Sequence, residues 1–205
     1  MNWTSLYLKS NNLNVFILGT GEVATRRANR FLDYGGQVVL AGNSISDELI
    51  NKGANLISTE DAEKYISWAD LVVIASSDKE LSDKIASLAQ DKLVNRADFP
   101  EKGDIIVPTS FEIGDVEISI FTNGKSPLMA RELRKKIQSI ITEEDILEIK
   151  IQDFARNLLK EKVSNQKTRK EILYDISKDA KINNYIKNNQ IKEAKKYVEE
   201  IINAY

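Results

Sequence analysis

The stretch VFILGTGEVA, from Val15 to Ala24, joins an apolar run to two glycines and to the start of a helical pattern. The apolar half is typical of a buried strand, and the glycines that follow it permit a tight turn. Gly19 would make that turn, and Gly21 would let a ligand approach the backbone without meeting a side chain. The stretch therefore predicts a strand, a turn and a helix whose junction binds a dinucleotide.

The helix after this turn offers its N-terminus to an anion. Unpaired backbone amides and a partial positive charge gather at such an end, so a phosphate is favourable there even without a lysine. The predicted helix, from Val23 to Tyr34, is followed by two glycines and by a second apolar run, Val38–Ala41. This order is one complete βαβ unit, which favours nucleotide binding over a purely structural turn. The residues predicted to contact the cofactor are Gly19, Thr20, Gly21, Glu22, Val23, Asn43 and Ser76.

One expected element of a dinucleotide site is missing after the second strand. An acidic residue about twenty positions after the first glycine normally holds the adenosine ribose, whereas this chain has Asn43 in that region. Asn43 can hydrogen-bond to a ribose hydroxyl, and Arg26 and Arg27 would suit a 2′-phosphate. The residues themselves therefore leave the choice between NAD and NADP open.

The composition of the chain excludes several kinds of site. Its 205 residues contain no cysteine and no histidine, so carboxylates must do any acid–base work, and we predict no metal site. A formal net charge of −2 gives no reason to expect nucleic acid as a partner. No apolar run is long enough to cross a membrane. We therefore expect a cytoplasmic protein without nucleic-acid or membrane partners.

Further strands alternate with helices along the first half of the chain. They are predicted over Asn55–Ser58, Leu71–Ala75 and Lys92–Asn95. This alternation predicts a doubly wound parallel sheet whose ligand crevice lies beyond the carboxyl ends of the strands. The residues expected on that rim are Gly19, Ser76 and Asn95.

The pattern changes near Pro100. Alternating apolar residues predict strands over Asp104–Pro108 and Val116–Thr122, which are expected to pair in an antiparallel or mixed arrangement. A helix is predicted from Leu128 to about Ile141, and the rest of the chain is helical, charged and amphipathic. Helix caps are predicted at Ser77 with Glu80, at Ser126 with Pro127 and at Thr142 with Asp145.

Three sequence blocks together resemble the precorrin-2 dehydrogenase and sirohydrochlorin ferrochelatase family, which forms the N-terminal module of siroheme synthases. The first block is the glycine turn Gly19–Ala24 with two arginines after it, the second is Val94–Asp98 with Pro100, and the third is Thr122–Pro127. The third is the most specific, because a Gly-x-Ser-Pro turn between a strand and an arginine-rich helix is rarer than a glycine turn. The order of elements matches over roughly residues 3–160.

The resemblance implies oxidation of precorrin-2 to sirohydrochlorin with NAD as the hydride acceptor, in a homodimer. Insertion of a metal into sirohydrochlorin is a further activity of some members of the family. The family's catalytic aspartate corresponds to Asp98, which would accept a proton as hydride leaves the macrocycle. The alternative for Asp98 is a cap of the turn at Pro100. Arg96 departs from the apolar residue of the family pattern, and it would either lower the pKa of Asp98 or contact the substrate.

The tetrapyrrole substrate implied by the resemblance carries several carboxylates, so its site needs positive charge and free hydrogen-bond donors. Such groups gather where the third block leads into a helix. The residues predicted to contact substrate are Asn95, Gly124, Lys125, Ser126 and Arg131. Because the chain leaves no room for a methyltransferase domain, a separate uroporphyrinogen methyltransferase is expected to act upstream.

We therefore predict an α/β fold with three parts. A Rossmann-like doubly wound parallel sheet occupies residues 1–110, a small β-rich dimerisation and substrate segment occupies 111–141, and a C-terminal α-helical domain occupies 142–205. Two other functions remain open. One is a non-catalytic NAD-sensing Rossmann module that regulates a partner, and the other is a family member with chelatase activity alone.

Overall fold

The chain divides into two compact units, Met1–Val107 and Pro108–Tyr205. This computed structural model describes residues 3–205. The first unit contains a parallel sheet with helices, and the second contains a two-stranded antiparallel sheet followed by five helices. The predicted fold class is confirmed. The role of residues 111–141 in dimerisation stays a prediction.

Five parallel strands form the sheet of the first unit, in the order β3-β2-β1-β4-β5. Because the strand order reverses between β1 and β4, a crevice opens there beyond the carboxyl ends of the strands. The doubly wound sheet predicted from the sequence is therefore confirmed. The strands are β1 Asn14–Leu18, β2 Gln37–Ala41, β3 Asn55–Ile57, β4 Leu71–Ile74 and β5 Leu93–Arg96.

Helices cover both faces of this sheet, which explains why its central strands are apolar throughout. Phe16 and Leu18 of β1 pack into the core on one face, while Val15 and Ile17 pack into the core on the other. All four side chains are fully buried. The helices are α1 Glu22–Asp33, α2 Asp47–Asn51 and α3 Lys79–Leu88, with 3-10 helices at Thr59–Tyr65 and Pro100–Lys102.

The start of α3 differs from the prediction. Asp78, not Ser77, is the N-cap, and its carboxylate accepts a hydrogen bond of 3.0 Å from the amide of Leu81. The capping box predicted for Ser77 and Glu80 is therefore wrong. Two possible cap residues stand side by side in the sequence, and the carboxylate of the second meets the first turn of the helix.

The strand predicted over Asp104–Pro108 is also wrong. The amides of Asp104 and Ile105 both donate to the carbonyl of Val94, and the Asp104 carboxylate accepts from the amide of Val94 at 3.2 Å. Ile105 packs against the core of the parallel sheet. The apolar residues of this segment are thus used for packing beside β5, not for pairing as a strand.

The second unit begins with a hairpin of two antiparallel strands, β6 Thr109–Ile113 and β7 Val116–Ile120. A long helix, α4 Pro127–Ile140, follows it, with Ser126 as N-cap and Pro127 in the first turn, as predicted. The predicted cap at Thr142 and Asp145 is confirmed as a reciprocal capping box.

Four helices end the second unit and share one buried core. They contribute apolar residues at helical spacing, as expected for an amphipathic bundle. The part of the chain that the structure describes contains no helix both long and apolar enough to cross a membrane. The helices are α5 Glu143–Lys162, α6 Gln166–Lys178, α7 Ala180–Lys187 and α8 Ile191–Asn203.

The packing of α5 predicts different effects for two isoleucines two residues apart. Ile151 is fully buried in the helical core, whereas Ile149 is 39% exposed. We expect Ile151→Ala to lower the free energy of unfolding by about 2 to 5 kcal/mol through lost burial and a cavity. Ile149→Ala should change it by less than about 1 kcal/mol. Urea unfolding of the full chain, followed by far-ultraviolet circular dichroism, measures both, and equal losses would contradict this packing.

Candidate functional site

A close backbone approach joins the ends of β1 and β4 at the crevice. Gly19 has a φ of 113°, and a Cβ atom built on it would lie 2.3 Å from the carbonyl oxygen of Ala75. The same Cβ would lie 3.3 Å from the amide nitrogen of Ser76. Only glycine fits this position, because both the backbone conformation and the space exclude a side chain. Gly19 and Ser76 therefore meet on one rim, as predicted.

The N-terminus of α1 faces this rim with its amides free. Gly21 is the N-cap, and no side chain caps the helix. The amide of Thr25 is the first to bond back, to the carbonyl of Gly21. The amides of Glu22 and Val23 are thus left as donors at the positive end of the helix dipole. A Cβ built on Gly21 would meet nothing within 4 Å, so the turn is open at this position, and a helix N-terminus with free amides favours a phosphate.

Thr20 packs against the end of β2. A Cβ atom on Gly42 would lie 2.5 Å from Cγ2 of Thr20, so the two residues form a tight contact. Asn43 follows in the bend after β2, and its side chain is exposed. The predicted hydrogen bond from Asn43 to the adenosine ribose stays a prediction.

Two arginines of α1 differ sharply in their surroundings. Arg26 is exposed and pairs with Glu22 at 3.3 Å. Burial, with smaller effects of Arg30 and Arg26, lowers the pKa of Arg27 to about 10. The Nε atom of Arg27 is buried and has no hydrogen-bond partner among residues 3–205. A role for either arginine at a 2′-phosphate stays a prediction.

Asp98 lies at the same level of the sheet as the nucleotide rim. The register aligns Leu18 of β1 with Ile74 of β4, and Ile74 with Arg96 of β5. Asp98 follows β5 by two residues, just as Ser76 follows β4. Neighbouring strands are about 5 Å apart, so β5 places Asp98 roughly 10 Å from β1.

Arg96 holds the carboxylate of Asp98 with a two-pronged contact. Its Nε donates to Oδ1 at 2.9 Å, and its Nη2 donates to Oδ2 at 2.6 Å. Nη2 also lies 2.9 Å from Oδ1 of Asp83 on α3. The Arg96 side chain is 5% exposed and that of Asp98 is 20% exposed. Of the two roles left open by the sequence, Arg96 thus contacts Asp98.

These contacts set the charge state of the pair. Burial acts to raise the pKa of Asp98, but the hydrogen bonds and positive charge of Arg96, with backbone amides, outweigh it and lower that pKa. The hydrogen bonds of Asp98, opposed by burial and supported by Asp83, raise the pKa of Arg96. Asp98 is therefore an ionised carboxylate held in a fixed plane.

Asn95 is more enclosed than its predicted role on the rim suggests. It is 2% exposed, and its Nδ2 donates to the carbonyl of Ile105 at 2.9 Å. Its Oδ1 is buried and has no partner within the described range. Asn95 thus ties β5 to the segment that follows, and its contact with substrate stays a prediction.

The third sequence block forms the turn into α4 in the second unit. Gly124 has a φ of 72°, and open space surrounds it. Ser126 Oγ accepts from the amide of Met129 at 3.1 Å, while its own amide donates to Thr122 Oγ1 at 3.3 Å. Lys125 and Arg131 are exposed, and neither forms an ion pair with another described residue. Substrate contacts of Gly124, Lys125, Ser126 and Arg131 stay predictions.

Known proteins resemble this chain in both sequence and fold. A family described as "Putative NAD(P)-binding" matches residues 6–109. The precorrin-2 dehydrogenase of Methanosarcina barkeri is 32% identical over 85% of this chain and 83% of its own length. A siroheme synthase of Tolumonas auensis is 26% identical over 69% of this chain but only 31% of its own length. A solved structure titled "SirC, precorrin-2 dehydrogenase" superposes with a TM-score of 0.76 and 22% identity, covering 97% of this chain and 100% of that one.

The two glycines of the turn are predicted to respond differently to the same substitution. Gly19→Ala should destabilise the fold severely, because its Cβ would collide with the Ala75 carbonyl. Gly21→Ala should leave the melting temperature of the ligand-free protein nearly unchanged, since the backbone is extended and the space is open. It should weaken NAD binding by at least about tenfold, because the new methyl group occupies the path of the pyrophosphate. Isothermal titration calorimetry and thermal melts test this, and an unchanged affinity would contradict it.

Proposed function

The chain belongs to the precorrin-2 dehydrogenase family, and we propose that it oxidises precorrin-2 to sirohydrochlorin in siroheme biosynthesis, with NAD as the hydride acceptor. The observation that carries this proposal is the intact glycine turn after β1, on the same edge of the sheet as Asp98, in a chain that covers most of its dehydrogenase relative. In the reaction, one hydride passes from the macrocycle to NAD, and one proton is lost. The site must therefore hold a dinucleotide and accept a proton.

The first unit supplies the residues for both tasks. The amides at the start of α1 would bind the pyrophosphate, and Asn43 would hydrogen-bond to the adenosine ribose. The nicotinamide, when bound, supplies the hydride acceptor. Asp98 is the proposed proton acceptor, because it is an ionised carboxylate at the rim of a site in a chain without histidine.

The second unit supplies the proposed contacts to the substrate carboxylates. Lys125 and Arg131 are exposed cations beside the N-terminus of α4. Cations and helix N-termini both bind carboxylates favourably. Ser126 keeps its hydroxyl engaged as N-cap, so the backbone around it and the two cations are the groups proposed to meet the substrate.

We also propose that the chain acts as a homodimer through the hairpin and α4. Of the 14 residues in α4, only Ala130 is buried. A two-stranded sheet is marginally stable by itself, and a second copy would cover the apolar residues that this segment exposes. Those residues are Phe121, Leu128, Met129, Leu133 and Ile140.

Three further points stay predictions. Precorrin-2 has to be made by methylation of uroporphyrinogen, and a separate methyltransferase is the proposed source. A cytoplasmic location is proposed on the composition alone, and cell fractionation would test it. Metal insertion into sirohydrochlorin is left as an alternative activity, because Asp98 could accept pyrrole protons in that reaction as well.

The dehydrogenase proposal predicts NADH formation when the protein is mixed with precorrin-2 and NAD under anaerobic conditions. Asp98→Asn should reduce kcat by at least about a hundredfold, because it removes the proton acceptor, while NAD binding persists. Asp91→Asn, an exposed aspartate before β5, is the matched control. NADH absorbance measures the rates. Wild-type protein that binds NAD without reducing it would favour the sensor module, and metal insertion without NADH formation would favour the chelatase.

The dimer proposal predicts that a charge on α4 separates the subunits. Leu128→Glu should weaken self-association by at least about tenfold, because it buries a carboxylate in an apolar contact. Ile50→Glu, on the exposed side of α2, is the control and should leave the dimer intact. Sedimentation equilibrium measures both constants. A monomeric wild type, or a Leu128→Glu variant that associates normally, would contradict the proposal.

A further inference from the structure

Arg96 is a buried charge in a sheet whose other buried residues, apart from Asn95, are apolar. It is the last residue of β5, and its side chain lies among the most enclosed polar groups of the first unit. Burying a guanidinium is unfavourable unless its donors are paired. Here two donors meet Asp98 and one of them also meets Asp83. The guanidinium charge is therefore paired with two carboxylates, and one of them is the proposed proton acceptor, Asp98.

The geometry of the contact fixes the orientation of Asp98. Two parallel hydrogen bonds from one planar guanidinium hold both carboxylate oxygens in a single plane. Arg96 itself is anchored twice, by its place in the ladder with β4 and by the contact with Asp83 on α3. Asp98 lies in a bend after the strand, where its own backbone gives less restraint. The strand thus positions a loop carboxylate through an arginine side chain.

We propose that Arg96 is a positioning residue for the dehydrogenase reaction, which orients the carboxylate of Asp98 and keeps it ionised. This inference rests on the proposed function, because Asp98 must be the proton acceptor for its orientation to affect the rate. Arg96 does not itself touch the reacting atoms in this role. A residue that only stabilised the sheet would alter neither the charge state of Asp98 nor the pH dependence of the reaction.

The electrostatics give the direction of the expected change. Arg96 on β5 and the backbone amides of Asp98 and Phe99 act directly on Asp98, and Asp83 on α3 lies close to the pair because it shares Nη2 of Arg96. Burial raises the pKa of Asp98 and Arg96 lowers it. Without Arg96 the burial effect and the Asp83 charge remain, and both favour the protonated acid. The carboxyl pKa should then rise, so the acid limb of the rate profile should move to higher pH.

The test compares Arg96→Met, Arg96→Lys and the control Arg156→Met, an exposed arginine on α5. In Arg96→Met we expect kcat to fall by at least about tenfold and the acid limb of kcat/KM to move up by about one pH unit or more. Arg96→Lys restores the positive charge but not the two-pronged contact. The acid limb of kcat/KM should therefore return to its wild-type pH, while kcat stays low. Arg156→Met should match the wild type in kcat and in the acid limb of kcat/KM.

A carbon-13 NMR titration of the Asp98 carboxyl, assigned with Asp98→Asn, supplies a readout that does not depend on activity. If the Asp98 carboxyl of folded Arg96→Met titrates at the same pH as in the wild type, the proposal is overturned. If Arg96→Met does not fold, Arg96→Lys carries the test, and wild-type kcat in that variant would overturn it. Full activity in Asp98→Asn would instead disprove the catalytic role of Asp98, while the titration would still report whether Arg96 controls its charge.

Discussion

The close approach of Gly19 to the carbonyl of Ala75 is the constraint on which the nucleotide half of the molecule depends. It holds the end of β1 against the loop after β4, where the order of strands reverses. The amide of Ala75 continues the ladder by donating to Leu18 at 2.9 Å. A side chain at position 19 would collide with the Ala75 carbonyl and push these ends apart. The free amides at the start of α1 and the rim at Ser76 lie at this contact, while the register of β4 with β5 places Asp98 along the same edge of the sheet.

Most of the fold could be predicted from local signals. The strands of the parallel sheet have apolar residues on both faces, and two of the three predicted helix caps are correct. The errors arise where one local sequence pattern is compatible with two different structures. Ser77 and Asp78 are both good caps, and only the path of the chain selects Asp78. The apolar residues after Asp104 suit a strand or a packed segment equally, and the hydrogen bonds to Val94 decide for packing.

The contacts within the site were less predictable than the fold, because they depend on the direction in which each side chain extends. The positions of Gly19, Ser76 and Asp98 follow from strand order, which the sequence pattern indicates. The sequence shows Arg96 two residues before Asp98, a spacing that puts both side chains on one face of an extended strand. Asp98 lies in a bend beyond the strand, so the spacing alone does not establish their contact. Asn95 illustrates the opposite case, because its amide turns inward to Ile105. No periodicity distinguishes these two outcomes, since both residues end the same strand.

The contact between Arg96 and Asp98 makes the proposed proton acceptor a weak base, and the proposed reaction explains why a weak base is sufficient. As hydride leaves the macrocycle, positive charge develops there, and the proton that must follow becomes acidic. A fixed negative charge beside the ring stabilises that developing charge without reorganising. In the proposed reaction, the orientation of Asp98 and its ionised state before the proton arrives then matter more than its basicity. In a chain without histidine, an arginine-held carboxylate supplies both, at the cost of burying a guanidinium that Asp83 helps to neutralise.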